Sequence, residues 1–157
     1  MNLKIVNLEE ETDAGFKEIC KWYYEWWGEK FDMTPTKMED YVRSKLNSDK
    51  LPKTFIVLLN KEPVATYQLL ADSITVKDVS PLLDGVYVDK KYRKKGILNQ
   101  IMKSAEHQAR HLNLKELYLY TDYLGLYEKY GWNFIEEIKA PTSQDQHRMQ
   151  RLYKLKL

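Results

Sequence analysis

The chain of 157 residues has one cysteine, Cys20, so it can form no internal disulfide and offers neither a zinc ribbon nor a CxxC redox pair. It has only six glycines and five prolines, and no repeat, low-complexity tract or linker divides it. Its apolar runs are as short as strands, whereas a membrane-spanning helix needs about 18 or more apolar residues. These absences predict a single domain over residues 1–157.

The chain carries little net charge. The 25 Lys and Arg are nearly balanced by 23 Asp and Glu, so the formal net charge is +2 at pH 7. Such a balance provides no general attraction for nucleic acid or for an anionic membrane, and we expect neither as a partner. The first residues lack the basic start, apolar stretch and cleavage site of a signal peptide. We therefore expect a cytoplasmic protein.

The sequence is rich in aromatic residues, with 12 Tyr and 4 Trp, and its hydrophobic content of 43% is typical of an ordered core. Apolar periodicity predicts a mixed α/β fold with the element order β-α-α-β-β-β-α-β-α-β-β. The predicted strands are residues 2–7, 54–59, 64–70, 82–88, 114–120, 132–138 and 148–157. The predicted helices are residues 12–29, a second from a cap at Thr34 or Thr36 to residue 46, a third over residues 96–112, and a short fourth from a cap at Asp122 to Tyr130.

Residues 86–98 run from a predicted strand through a short loop into the third predicted helix. Four cations crowd the start of that helix, namely Lys91, Arg93, Lys94 and Lys95. A helix N-terminus is already partly positive, so cations there are unfavourable unless an anion joins them. A phosphate group would be held by the unpaired N–H groups, the helix dipole and the basic side chains together. The pattern therefore favours a phosphate site, with a solvated charge run as the alternative.

Residues 93–98 resemble the acetyl-CoA pyrophosphate loop of the GNAT superfamily of N-acetyltransferases, whose pattern is Arg/Gln-x-x-Gly-x-Gly/Ala. Arg93 and Gly96 match this pattern, and Leu98 replaces its last small residue. Residues 126–132, Leu-Tyr-Glu-Lys-Tyr-Gly-Trp, are similar to a second segment of that family, Leu/Phe-Tyr-Glu-Lys-x-Gly-Phe. The element order also resembles the family fold. The resemblance thus covers nearly the whole chain and implies a central, mostly antiparallel, splayed sheet.

The resemblance implies acetyl-CoA as co-substrate and no metal. The pyrophosphate would lie at the loop, and the pantetheine arm would pair with the bulged strand over residues 82–88. Backbone N–H groups at Tyr87 or Val88 would polarise the thioester carbonyl. The cofactor-binding residues implied in this way are Val86, Tyr87, Val88, Arg93, Lys94, Lys95, Gly96, Ile97, Leu98 and Asn99.

The resemblance also implies direct transfer of acetyl to a primary amine, with Tyr127 as the acid that protonates the departing thiolate. Many family members have an Asn seven residues earlier. Tyr120 occupies that position here, so Thr121 or Asp122 would have to supply the contact if it is made.

The general base is less well defined. Asp84 is the first candidate, because regular alternation would place it on one face with Val86 and Val88, toward the cofactor cleft. Asp72 is the second candidate, and it would otherwise attract a cationic substrate. Trp26 and Trp27 are candidate acceptor contacts together with Asp72, although core packing competes as an explanation of both indoles.

His107 and His111 have the i, i+4 spacing of metal ligands, but no third ligand accompanies them and we expect no metal. Two functions remain open. One is an N-acetyltransferase that acts on a small-molecule or peptide amine. The other is a catalytically degenerate CoA-binding sensor or interaction module, which Leu98 and Tyr120 favour. A homodimer through the C-terminal strands is also open.

Overall fold

The computed structural model describes residues 2–10, 13–72, 79–139 and 148–157. Within them a mixed sheet contains the strands β1 (Leu3–Asn7), β2 (Lys53–Leu59), β3 (Glu62–Leu70), β4 (Leu82–Val88), β5 (Glu116–Thr121), β6 (Asn133–Lys139) and β7 (Met149–Lys156). The α-helices are α1 (Asp13–Tyr23), α2 (Pro35–Arg43) and α3 (Ile97–His111), and a short 3-10 helix covers Tyr127–Tyr130. The predicted fold class and element order are confirmed.

The strands follow the order β1-β2-β3-β4-β5-β7-β6 across the sheet. Neighbours are antiparallel except β4 and β5, which are parallel because α3 connects them. A single register pair, Leu82 with Tyr118, joins β4 to β5. The two strands therefore diverge toward the C-terminal end of β4, and the sheet is splayed there as expected.

The two faces of the sheet carry different helices. One face packs against α3 through a cluster that includes Val57, Tyr67 and Ile101. The other packs against α1 and α2 through a cluster that includes Trp22 and Ile56. This division decides which side chains of β4 face which helix.

Helix α1 ends earlier than the predicted range of residues 12–29. Its last turns are a π-helical segment over Tyr24–Gly28 and a 3-10 turn over Glu29–Phe31. An ideal Cβ on Gly28 would lie 2.7 Å from the Met38 Cε atom, so α2 packs closely on this segment. The wider turn sends the adjacent indoles of Trp26 and Trp27 in different directions.

Side-chain contacts decide between the helix caps that the sequence predicts. The Thr34 hydroxyl accepts the Lys37 N–H at 3.1 Å, so Thr34 rather than Thr36 caps α2. The prediction that Asp122 caps the last helix was wrong. Its carboxylate pairs instead with Arg148 at the start of β7, and the short helix begins at Tyr127.

Cys20 lies in the α1 face of the core and is 7% exposed. Burial raises the pKa of its thiol to about 12, helped by the nearby Glu39 carboxylate and opposed by Arg43. The thiol is therefore protonated at neutral pH and packs as a small apolar group. No helix in the described ranges is long and apolar enough to cross a membrane.

Candidate active site

The β4–α3 loop, residues 89–96, is built by local rules. The Asp89 carboxylate accepts the Lys91 N–H at 2.9 Å and caps a 3-10 turn over Lys90–Tyr92. Lys94 and Gly96 then take left-handed conformations, with φ of 63° and 82°. Gly96 is the residue immediately before α3, where the first helical N–H groups have no partner within the helix.

The space beside Gly96 is open, since no atom lies within 4 Å of an ideal Cβ at this position. The exposed side chains of Lys94 and Lys95 follow the same loop. Free N–H groups, open space and two cations at one helix start form a cradle that fits a pyrophosphate. Leu98, which replaces the small residue of the family pattern, is partly buried and packs into the core between α3 and the sheet.

The Arg93 side chain packs against the end of β4. Its Nε atom donates to the Val88 carbonyl at 2.9 Å, and its guanidinium carbon lies 5.5 Å from the centre of the Tyr87 ring. The predicted cofactor-binding residues are therefore contiguous from the end of β4 to the start of α3, although Ile97 is buried and Leu98 packs into the core. Tyr87 contributes only its backbone there, because its ring packs between Trp22 and Trp26 on the α1 face.

A β-bulge changes the face on which Asp84 lies. Thr66 pairs with Tyr87 and Gln68 with Asp84, so one residue of β3 stands opposite two of β4. Paired side chains share a face, which puts Asp84 and Tyr87 together on the α1 and α2 side. The expectation that Asp84 shares a face with Val86 and Val88 was wrong. Those valines pack instead against the α3 cluster.

Gly85 forms the bulge with φ of 59°, a conformation that side chains disfavour. The buried Tyr23 hydroxyl donates to the Gly85 carbonyl at 2.8 Å. An ideal Cβ on Gly85 would lie 2.4 Å from that hydroxyl. Tyr23 thus occupies the space that a side chain would need, and helix α1 supports the bulge directly.

Asp84 is half-buried, and burial raises the pKa of its carboxyl group. The Gly85 N–H, which donates to Asp84 Oδ1 at 2.8 Å, and the Lys45 ammonium oppose this rise without cancelling it. A carboxylate with a raised pKa is a stronger base than an ordinary surface aspartate. The position therefore suits a group that removes a proton from an amine.

A polar network beneath Asp84 was not foreseen in the sequence analysis. The Tyr41 hydroxyl donates to Gln68 Oε1 at 3.2 Å, and Gln68 Nε2 donates to Thr54 Oγ1 at 3.1 Å. Gln68 is 1% exposed, so its amide is oriented by these bonds. Gln68, in a run of residues 64–70 that the sequence predicts as a buried strand, is the signal that could have revealed it.

Tyr127 is 8% exposed and lies between the rings of Trp132 and Tyr153. Burial raises the pKa of its phenol to about 12, with further contributions from Tyr123, Asp84 and Tyr130. The hydroxyl therefore holds its proton at neutral pH.

The two residues considered in place of the family asparagine have other partners. Thr121 is 8% exposed, and its Oγ1 atom accepts the Tyr123 N–H at 3.2 Å. Asp122 pairs with Arg148. These contacts hold the segment that leads from β5 to Tyr127.

The candidate acceptor contacts Trp26 and Trp27 have different partners on the α1 face. Trp26 is 42% exposed and its ring centre lies 5.6 Å from that of Tyr87, whereas Trp27 makes an edge contact with Tyr41 at 5.2 Å. Asp72 is exposed just beyond β3. Tyr23 stands between the two indoles, with ring distances of 6.2 Å to Trp26 and 6.1 Å to Trp27. Only Trp27 is on the Tyr41 side, toward the network under Asp84.

His107 and His111 are exposed on α3. Across the described part of the chain, no three His, Cys, Asp or Glu side chains are grouped so that they could hold a metal ion.

The splayed sheet with its bulged β4, followed by the β4–α3 loop, is the architecture of an acetyltransferase domain. The family model described as Acetyltransferase (GNAT) family matches residues 16–132. The chain therefore belongs to the GNAT acetyltransferase family. A comparison with curated protein sequences gives no match.

Solved structures agree with this fold. A GNAT acetyltransferase from Streptococcus pneumoniae is 17% identical with a TM-score of 0.72, over 99% of this chain and 100% of that chain. An aminoglycoside 6'-N-acetyltransferase complexed with coenzyme A is 12% identical with a TM-score of 0.75, over 98% and 96% of the two chains. A GNAT acetyltransferase from Elizabethkingia anophelis with acetyl-CoA bound is 17% identical with a TM-score of 0.65, over 99% of each chain. Likeness at these identities establishes the fold.

Proposed function

We propose that this protein is an N-acetyltransferase that moves the acetyl group of acetyl-CoA to a primary amine by direct attack within a ternary complex. One observation carries the proposal: β4 pairs with β5 at Leu82 alone and leads into a loop whose cations and open helix start fit a pyrophosphate. Asp84 and Tyr127 are the candidate base and acid, since burial raises the pKa of both side chains. Acetyl-CoA or CoA is bound in two of the structural neighbours described above.

The chain's own residues divide the work of holding acetyl-CoA. Backbone groups of Val86, Tyr87 and Val88 would pair with the pantetheine arm, because the edge of β4 that faces β5 is left open by the divergence. The pyrophosphate would lie at the start of α3, against the N–H groups of Ile97, Leu98 and Asn99. Arg93, Lys94 and Lys95 would neutralise its charge, and Gly96 leaves the space open.

Acetyl-CoA supplies an acetyl group activated as a thioester. The amine arrives as an ammonium ion, so its nitrogen loses two protons overall, and the Asp84 carboxylate accepts one of them before the attack. The nitrogen then forms a bond to the acetyl carbon while the bond from that carbon to sulfur breaks. The second proton leaves the nitrogen to solvent as the amide forms, and Tyr127 donates a proton to the departing sulfur and regains one from solvent. An N–H group of Tyr87 or Val88 stabilises the negative charge that develops on the carbonyl oxygen.

The acceptor is a small-molecule or peptide amine, approached from the side of α1 and α2 on which Asp84 lies. Trp27 and Trp26 would contact its apolar part, and Asp72 would attract its positive charge before it binds.

The proposal includes a cytoplasmic location and a single domain over residues 1–157. The alternative of a catalytically silent CoA-binding module has no support from the comparisons.

The test is the release of free CoA thiol from acetyl-CoA in the presence of a panel of primary amines, which includes polyamines, aminoglycosides, amino acids and peptides. Amine-dependent thiol release with a matching acetylated product, abolished in Asp84→Asn and reduced in Tyr127→Phe, would support the proposal. Saturable binding of acetyl-CoA without turnover for any amine class would favour the silent module. Absence of binding would contradict both.

A further inference from the structure

A groove of about 440 Å³ lies on the α1 side of β4. Its aromatic wall is formed by Trp22, Trp26 and Tyr87. Its charged residues come from α1, the following π-helical segment and the β4–α3 loop; they are Lys21, Glu25, Asp89, Lys90, Lys91 and Arg93. We call it the aromatic groove.

The wall of the aromatic groove consists of three rings tilted against one another, with interplanar angles to Tyr87 of 32° for Trp22 and 39° for Trp26. The Tyr87 ring centre lies 5.5 Å from that of Trp22 and 5.6 Å from that of Trp26. Trp22 is 2% exposed and fixed in the core, whereas Trp26 is 42% exposed. An indole left this accessible beside two other rings is suited to stack on a planar ligand.

The charges of the aromatic groove are unbalanced, with four cations against two carboxylates. The Asp89 carboxylate is already engaged in capping the Lys91 N–H at 2.9 Å. No ion pair within 4.0 Å joins Lys21, Lys90, Lys91 or Arg93 to an acidic side chain in the described ranges. An anionic group on the ligand would supply the missing charge.

The aromatic groove is distinct from the phosphate cradle and from Asp84, none of whose residues lines it. It shares Tyr87 and Arg93 with the surface proposed for acetyl-CoA and Trp26 with the surface proposed for the acceptor. The shared residue Tyr87 offers its ring to the groove, whereas the cofactor would use its backbone. A ligand in the groove would therefore lie beside the cradle at the start of α3.

From the rings and the unpaired cations together, we propose that the aromatic groove binds a small planar ring that carries an anionic group, either a carboxylate or a phosphate. The ring belongs either to a separate ligand or to the far end of the acceptor. Binding of such a ligand to the aromatic groove is independent of whether the protein transfers acetyl groups.

The probes are benzoate and phenyl phosphate, with neutral benzamide as the uncharged control, titrated into the full chain and followed by tryptophan fluorescence and ligand-observed NMR. Both anions should bind and benzamide should bind much more weakly. Trp26→Ala should raise the Kd about tenfold. Lys91→Glu should raise it by a similar factor, whereas Lys103→Glu, an equal charge change on exposed α3, should leave it unchanged.

The second experiment repeats the probe titration in the presence of saturating CoA. An unchanged affinity for the probe would support a binding site distinct from that of the cofactor. Displacement of the probe would overturn the proposal, because it would assign the aromatic groove to CoA. Equal binding of benzamide, or equal effects of Lys91→Glu and Lys103→Glu, would also overturn the proposal. If amine acetylation is found, competition of the probe with the amine identifies the ring as part of the acceptor, and lack of competition identifies a separate ligand.

Discussion

The Tyr23 hydroxyl donates a hydrogen bond of 2.8 Å to the Gly85 carbonyl and stands 2.4 Å from the position that a Gly85 Cβ would take. This contact ties the end of α1 to the bulge in β4. The bulge in turn decides the face of Asp84 and leaves the following N–H groups beside the strand gap.

Gly85→Ala should lower the free energy of unfolding by about 2 to 4 kcal/mol, because it adds a steric clash to an unfavourable backbone conformation. Tyr23→Phe alone should cost about 1 kcal/mol through the lost hydrogen bond. The double variant should be less destabilised than the sum, since the clashing hydroxyl is gone. Urea unfolding of the three variants measures this coupling, and strict additivity would contradict the contact.

Gly96→Glu should abolish measurable binding of acetyl-CoA, because it puts a carboxylate into the open space where a phosphate is expected. Gly131→Glu is the matched control: Gly131 also has a left-handed backbone, with φ of 89°, and only one side-chain atom, 3.9 Å away, near its ideal Cβ. The two variants should lose similar stability. Calorimetric titration with acetyl-CoA should separate them, and equal affinities would place the phosphates elsewhere.

Tyr127→Phe should lower kcat by about a hundredfold and change the KM for acetyl-CoA little, because the ring contacts remain and only the proton donor is lost. Tyr130→Phe serves as the control on the same short helix. The wild-type phenol has a pKa of about 12, so its ionisation should not limit activity near neutral pH. Equal kcat values for Tyr127→Phe and wild type would exclude the acid role.

Asp84→Asn should remove the acidic limb of the pH profile of kcat/KM along with most activity. In wild type that limb should lie above the usual range for aspartate, because burial raises the pKa of the carboxyl group. Because its pKa is raised in the folded protein, protonated Asp84 is favoured by folding and ionised Asp84 is disfavoured. The free energy of unfolding is therefore highest at low pH with respect to this group, and it falls as pH rises through the pKa of the folded state.

The stability of Asp84→Asn should therefore exceed that of wild type at neutral pH, with the difference shrinking toward about pH 4. The asparagine Oδ1 atom can still accept the Gly85 N–H, so the bulge is retained. Chemical unfolding at several pH values provides the measurement. A variant less stable than wild type at neutral pH would show that Asp84 serves the fold rather than the reaction.

The positions of the strands and long helices follow from the sequence because each depends on a short-range period of apolar residues. The β4–α3 loop was also accessible in this way, since strand, loop and helix are contiguous and Gly96 and the cations mark the helix start. The predicted face of a strand residue was wrong where one residue interrupts the two-residue alternation. Gly85 shifts β4 by one position, and the alternation that placed Asp84 with Val86 then fails.

The sequence by itself determined the element order, the loop in which we propose the phosphate cradle, and the family to which its motifs point, because all of these reside in local patterns. The tertiary structure decided which groups meet. Asp84 lies opposite Gln68 on the α1 and α2 side because β4 is bulged, and Tyr23 meets Gly85 because α1 packs against that bulge. Contacts between residues far apart in sequence depend on how the elements pack, and no period within one element records that packing.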